Sequence, residues 1–409
     1  MDTGYIVLAI PFFFLLIGIE YAIARAQKKV YFRFHDSIAS LSCGIVQQMT
    51  GVLLKVLLIG SYVWAYEQLS ITKLLASSGL VWIWAFVLVD LAYYWFHRAS
   101  HRINFMWAAH VVHHQSEQYN LTTALRQSAF QGLMSAVFYL PLAILGFPPL
   151  VFFTAVTLNT LYQFWIHTRL IGKMGPLEWV LNTPSHHRVH HAIDPEYIDK
   201  NYAGMFIVWD RVFGTFTRES SPVHYGTVKG FRSWNPLWAN FDEWVSILKL
   251  CFHGRNWRER AYAWIAPPEW RPKSMGGTVR IEPVPATRRL FDSQGYHGSE
   301  LYVLSQFPVL ALAVMALLKF QNELDSTVLY AGVGWVFAST LAWSGIAERK
   351  VWAPPLEFLR LALLPALVFW GTWMEAPSLA LVTLAAALAL VSLMFLRRNL
   401  EKDRPALSA

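Results

Sequence analysis

Ten of the fourteen histidines of this 409-residue chain lie between His97 and His191. His97 and His101 are four apart, His110, His113 and His114 form an HxxHH pattern, and His187, His190 and His191 repeat it. On an α-helix, residues three and four apart share a face, so each group aims two or three imidazoles in one direction. Neutral imidazole is the commonest metal ligand and suits iron, zinc, copper and nickel. Histidines satisfied singly in a core have no reason to recur at this spacing. More nitrogens gather than one ion can take, and the pattern points to two metals held close together. The last group has a visible helix start, with Thr183 as N-cap and Pro184 at the first helical position. His186 lies at the edge of that arc, as a ligand or as a donor to one.

The elements that must position these groups are membrane helices. Hydrophobic residues make up 55% of the chain and charged ones 15%. A run of about 18 or more mostly apolar residues can cross a bilayer as a helix. Nine such runs occur, at 5–24, 41–66, 80–96, 129–147, 150–166, 302–318, 327–343, 361–373 and 379–396, with Pro141, Pro148, Pro149 and Pro365 interrupting the fourth, fifth and eighth. The expected fold is all-α, a polytopic integral membrane protein of about nine transmembrane helices with a cytoplasmic histidine-rich di-metal cap. Residues 1–300 would form a catalytic domain with its cap, and 301–409, which lack histidine, a C-terminal helical bundle. The two cysteines, Cys43 and Cys251, imply no disulfide framework.

Charge sets the orientation. Asp2 precedes the first run, and Arg25, Lys28 and Lys29 follow it, the reverse of a cleavable signal peptide. Threading nine runs from an outside N-terminus leaves Lys73 and Lys319 as the only cations in or beside the outer loops, with Lys55 inside the second run. The remaining Lys and Arg fall on the cytoplasmic side, as does the C-terminus, and every histidine group reaches that same face. The expected compartment is a bacterial inner membrane. The net charge of +8 then reads as attraction to an anionic leaflet and not as nucleic-acid binding. The stretch from about Leu170 to Glu300 is basic and carries eight tryptophans, from Trp179 to Trp270. It reads as a cap lying on the inner leaflet or as a small soluble subdomain.

Other polar residues surround these groups. Asp90 lies two helical turns before His97 and is expected to pair with Lys55, bond Tyr94 or serve the site. Glu20, near an inner membrane end, reads as solvated or paired. Glu117, Asn120, Arg126, Asp194, Asp199 and Asn201 could hold the outer N–H of metal-bound imidazoles or simply stabilise loops. His35, His224, His253 and His297 have no cluster partners and read as loop residues.

The stretch from Asp90 to Thr217 resembles the membrane di-iron family of fatty acid hydroxylases and sterol desaturases, and within it the ether-lipid branch. The resemblance rests on Tyr-Tyr-Trp-Phe-His-Arg at 93–98, Met-Trp-Ala-Ala-His at 106–110, Tyr-Asn-Leu-Thr-Thr-Ala-Leu-Arg-Gln-Ser at 119–128, Asn182 to His191, and Trp-Asp-Arg-Val-Phe-Gly-Thr at 209–215. It implies two iron ions, activation of O2, and attack on an unactivated C–H bond of a membrane lipid. The ligands it implies are His97, His101, His110, His113, His114, His167, His187, His190 and His191. Relatives often supply a tenth nitrogen one turn before the position of His167. Here Gln163 stands there, so that ligand is absent or is replaced by His186 or water. The expected substrate is an alkyl ether lipid, hydroxylated on the carbon next to the ether oxygen. The alternative is a sterol desaturase or a fatty acyl or ornithine-lipid hydroxylase of the same family.

Such chemistry needs two external electrons, and the chain has no dinucleotide fingerprint, no CxxCH and too few cysteines for an iron–sulfur cluster. The reductant is therefore a tetrahydropterin or a ferredoxin- or cytochrome-type partner. Animal members of the ether-lipid branch carry a Glu after the second histidine of the first pair, associated with pterin dependence. Arg102 occupies that place, and with Arg255, Arg258 and Arg260 it would suit an acidic redox protein. Three rivals fit less well. A haem carrier needs one or two histidines buried in spans, a transporter places ligands near mid-membrane, and a zinc hydrolase of the HExxH type lacks its motif.

Overall fold

A computed structural model describes residues 3–285, 287–373 and 379–402. Among these, all extended structure is limited to two isolated bridges, and the chain is helical. The helices are α1 (Thr3–Ala26), α2 (Phe34–Leu53), α3 (Lys55–Leu69), α4 (Gly79–Arg102), α5 (Asn104–Ala108), α6 (Leu121–Ala124), α7 (Gln131–Ile144), α8 (Pro149–Trp165), α9 (Pro184–His190), α10 (Val208–Val212), α11 (Pro236–His253), α12 (Trp257–Ile265), α13 (Ser299–Phe320), α14 (Ser326–Ala347), α15 (Ala353–Trp373) and α16 (Leu379–Lys402).

Six of the described helices are long and apolar enough to cross a membrane, seven if α2 and α3 count as one span bent by 58°. Two of the nine expected runs form shorter helices. At 1.5 Å per residue, α7 and α8 reach only about 21 and 26 Å, against a hydrocarbon core of about 30 Å. Gly146, at positive φ just past the Leu145 C-cap, closes α7, and Pro148 and Pro149 start α8, which fixes the break between them. The termini whose sidedness the charges predict, residues 1–2 and 403–409, lie outside the described residues.

The chain divides into two compact units, residues 12–231 with 239–290, and residues 2–11 with 232–238 and 291–409. In the first, α3, α4, α7 and α8 share a core of Tyr62, Val89, Tyr139, Leu142, Phe152 and Ala155. Tyr62 and Phe152 stack at 3.8 Å. The turn between α7 and α8 is tied to the connection between α3 and α4 by Ile71 N–H to Ile144 O (2.8 Å) and Leu74 N–H to Gly146 O (3.0 Å). The α7–α8 turn therefore lies level with the α3–α4 connection. Gly44 lets α2 run against the 121–125 turn, where a Cβ would meet the Leu125 carbonyl oxygen at 2.2 Å.

In the second unit, α13 to α16 surround a buried ion pair. Arg360 donates to Glu357 through Nε (2.7 Å) and Nη2 (2.5 Å), and Nη2 also reaches Gln306 Oε1 at 3.1 Å. The Tyr302 hydroxyl and Trp343 Nε1 donate to Glu357 Oε1, and Gln306 Nε2 donates to Ser392 Oγ. Both charged residues are essentially without exposure. The apolar run read at 361–373 starts just past this pair, whereas the helix begins at Ala353.

Candidate metal centre

α4 delivers the first two histidines. Its buried stripe runs through Val89, Asp90, Tyr94, His97 and His101, so the imidazoles share the face packed into the protein. The first HxxHH departs from the α-helical expectation. His110 precedes a 3-10 turn at Val111–His114, and the tighter winding turns the adjacent His113 and His114 apart. The second HxxHH lies on α9 with His191 as its C-cap. Thr183 has the extended N-cap conformation and Pro184 opens the helix, as expected, but the Thr183 hydroxyl donates to Glu178 instead of capping the helix.

These elements gather nine imidazoles into two groups, each with ligand atoms within 4.8 Å of one another. His97, His101, His110, His114 and His190 form one, and His113, His167, His187 and His191 the other. Neighbours in sequence are split between them, His113 from His114 and His190 from His191. All nine are buried. Burial, and next the neighbouring imidazoles, pushes the pKa of His110, His114, His167, His187 and His191 well below the usual range, and burial pushes His113 down to about 4. The rings are held neutral, the form that binds metal.

The hydrogen bonds test whether a metal fits. His113 Nδ1–H donates to Arg126 O (2.9 Å) and His167 Nδ1–H to Gln163 O (2.7 Å). A carbonyl can only accept, so each proton sits on Nδ1 and each Nε2 presents a bare lone pair. Those two Nε2 atoms face each other at 3.2 Å. His97 and His110 repeat the arrangement, with Nδ1 bonded to Tyr202 O and Gln131 Oε1 and their Nε2 atoms 3.0 Å apart. Bare lone pairs this close repel, and burial opposes protonation. A cation shared between them removes the conflict. The Nε2 atoms of His101, His190 and His191 and Nδ1 of His187 also have no hydrogen-bond partner. The donor set, all imidazole, fits a pair of first-row transition ions.

The loop after α9 orients several rings. Lys200 O accepts from His190 Nδ1 and Tyr202 O from His97 Nδ1. Asp199 and Asn201 adopt positive φ, which short polar side chains tolerate. Two buried carboxylates hold this loop. Asp210, its pKa raised to about 6 by burial, accepts from the backbone of Tyr202 and Ala203, and Asp90 accepts from Met205 N, Phe206 N, Asn159 and Trp209. Asp90 thus anchors the loop instead of bonding Tyr94, whose hydroxyl meets Thr215 and Arg98. Glu20 is buried, not solvated, and accepts from Leu121 N and the Thr168 hydroxyl beside His167. Sequence reasoning missed Gln131 and Asp210, because neither lies on a periodic pattern.

The other residues singled out fall around the groups. Asp199 bridges Arg102 and His101, its Oδ1 3.8 Å from His101 Nδ1, and Arg102 also meets Glu269 at 3.6 Å. The His186 ring packs on Phe216 and lies 3.9 Å from Glu178, outside both groups. Gln163 turns its amide to Asn159 and offers only its backbone carbonyl to His167. Asn201 bonds His186 O and Thr217, and Glu117 pairs with Arg288. Asn120 caps α6, Arg126 holds His113 through its carbonyl, and Asp194 pairs with His224.

Two buried groups of histidines that could each hold a metal ion lie within a chain that belongs to the fatty acid hydroxylase family. The family model, described as fatty acid hydroxylase, matches residues 82–215. An alkylglycerol monooxygenase of Xenopus tropicalis is 35% identical over 361 residues, covering 88% of this chain and 81% of that protein. The Homo sapiens alkylglycerol monooxygenase is 34% identical, covering 90% and 83%. An ornithine lipid hydroxylase of Rhizobium tropici is 27% identical, covering 33% and 41%. No solved structure matches the chain significantly.

Proposed function

We propose that the chain is an integral membrane, O2-dependent lipid monooxygenase whose nine clustered histidines hold two iron ions, one in each group. Its substrate is an alkyl ether lipid, hydroxylated at the carbon next to the ether oxygen to give a hemiacetal that separates into a fatty aldehyde and a glycerol derivative. The opposed bare Nε2 atoms of His113 and His167 carry this reading, because buried lone pairs this close call for a cation between them, in a chain similar over most of its length to alkylglycerol monooxygenases. When bound, the iron pair supplies the activation of O2 and the insertion of one oxygen atom into the C–H bond. The chain's own residues keep the imidazoles neutral, fix their tautomers through backbone carbonyls, and exclude water by burial.

The orientation with the N-terminus outside, and the histidines and C-terminus cytoplasmic, is retained with the shorter α7 and α8. Removing two consecutive spans leaves the sidedness of every other segment unchanged, so the positive-inside pattern supports seven spans as well as nine. Two electrons come from a tetrahydropterin or from a ferredoxin- or cytochrome-type partner. Arg102 does not offer a free cation to such a partner, since Asp199 and Glu269 engage it.

The test is turnover of an alkylglycerol by purified, iron-loaded protein with O2 and either reductant, read as fatty aldehyde released. An ether lipid left intact while an ornithine lipid is hydroxylated would move the assignment to that substrate, the reaction named for the Rhizobium tropici relative.

A further inference from the structure

α11 has the length of a span but not its composition, since Asp242, Glu243 and Lys249 lie within it. Its two faces differ. Asn240, Ile247 and Leu250 are buried. The Asn240 carboxamide oxygen accepts from Ser128 Oγ and Ala129 N, and Ala239 O accepts from Gln115, which fixes α11 to the loops that carry the histidines. On the other side Phe241, Leu248 and Phe252 stand exposed, with Val245 half-buried between them. Their spacing of four, three and four places them in one stripe. Phe252 is 81% exposed, and Trp257 at the start of α12 is 73% exposed. Tyr262 and Ile265 continue the apolar surface along α12.

A soluble surface does not keep such a row of aromatic and aliphatic side chains in water. What accompanies them indicates what covers them. Lys249, Arg255, Arg258 and Arg260 are all exposed beside the stripe. The nearby acids are engaged: Asp242 and Glu243 pair with Lys229, and Glu259 accepts from Arg255 N. An apolar face bordered by cations, with Trp at the edge, complements the boundary between acyl chains and anionic headgroups. The chain is already held at a bilayer by its spanning helices.

We infer that α11 and α12 lie in the plane of an anionic leaflet, with the stripe Phe241, Val245, Leu248 and Phe252 immersed below the headgroups. The immersed surface leads toward the metal centre. Phe130 packs against Phe241 (5.6 Å) and Trp244 (5.9 Å), and the next residue, Gln131, bonds His110. This commits the cations of α12 to lipid phosphates and not to an acidic redox protein.

Spin labels decide it without any activity assay, so the result is independent of the proposed reaction. With Cys251→Ser in place and Cys43 buried, single cysteines are introduced at Phe241, Val245, Leu248 and Phe252, and at Glu196 as an exposed loop reference. The full chain is reconstituted in nanodiscs containing phosphatidylglycerol. Accessibility to O2, which concentrates in acyl chains, is compared with accessibility to a water-soluble nickel chelate. Immersion predicts an O2-to-nickel ratio several-fold higher at the four stripe positions than at residue 196. Nickel-dominated relaxation at all four would overturn the inference and leave the surface open to a redox partner. Protection from both reagents would overturn it in favour of a protein cover, such as a second copy of the chain.

Discussion

In the C-terminal unit, Arg360 and Glu357 satisfy each other, and Tyr302, Gln306 and Trp343 complete their hydrogen bonding. In the histidine centre, equally buried nitrogens point at one another with no proton to share, and others have no partner. Both clusters place polar groups where water is excluded, which costs free energy unless those groups are satisfied. One closes on itself and locks four helices. The other is incomplete without a cation. Satisfaction, more than burial or charge, separates a structural polar cluster from a reactive one.

The largest effect should follow removal of one ligand from each histidine group. His110→Ala combined with His187→Ala should take turnover below detection and metal content from two ions toward none, with the protein still in the membrane. Full activity in that variant, measured with metal content by atomic absorption, would break the comparison at its root.

The opposite cluster should respond in stability alone. Arg360→Met leaves the Glu357 carboxylate buried without its counter-charge, which costs roughly 3 kcal/mol or more. Thermal unfolding in detergent should shift downward accordingly, while metal content and KM stay at wild-type values. A change in KM with unchanged stability would mean that the pair reports on the site.

How the two clusters show in the sequence follows the same division. Eight of the nine gathered histidines stand out by their helical spacing, because turns repeat, whereas His167 stands alone in the sequence and is expected only from the resemblance. What the spacing could not show was the partition, since the 3-10 turn that separates His113 from His114 depends on local winding. Glu357 and Arg360 were missed because two charges looked like the edge of an apolar run. An ionisable pair three residues apart beside such a run is the signal that was there to use. Asp90, Asp210 and Glu20 hold backbone N–H groups of distant loops, and tertiary pairings of that kind leave no periodic trace.

Acid should act on the histidine centre with a defined sign. The folded protein holds His113 at about 4, below the value of about 6.5 for a free imidazole, so the unfolded chain takes up protons first as pH falls. The metal-free protein should therefore lose stability progressively between pH 6.5 and 4. Unfolding midpoints at pH 7 and pH 5 check this, and equal midpoints would show that the imidazoles are not held neutral.

A smaller effect is expected at the rim of the site. Asp199 bridges His101 and Arg102, and loss of a carboxylate behind a metal-bound imidazole typically costs 10- to 100-fold in metal affinity or activity. Because this contact is long, Asp199→Asn should fall near ~10-fold. The readout is competition against a chelator, and unchanged metal affinity would show that Asp199 does not support the His101 ring.

The smallest effect sharpens the comparison most. Replacing both members of the C-terminal pair, Glu357→Leu with Arg360→Met, removes the stranded charge that makes the single variant costly. Well-packed apolar residues in place of a buried ion pair are often neutral or stabilising in soluble proteins. In a membrane bundle, polar contacts between helices are worth on average only about 0.6 kcal/mol. The double variant should therefore unfold within about 1 kcal/mol of wild type, although Tyr302 and Trp343 must find new acceptors. Its metal content and turnover should be unchanged. No such rescue by paired apolar replacement should exist for His113 and His167, whose opposed nitrogens are also buried neighbours. There the two side chains are not each other's partners but partners of something between them, and removing both removes the reason for the site. A C-terminal double variant as damaged as the single one would mean that the pair does more than hold helices together.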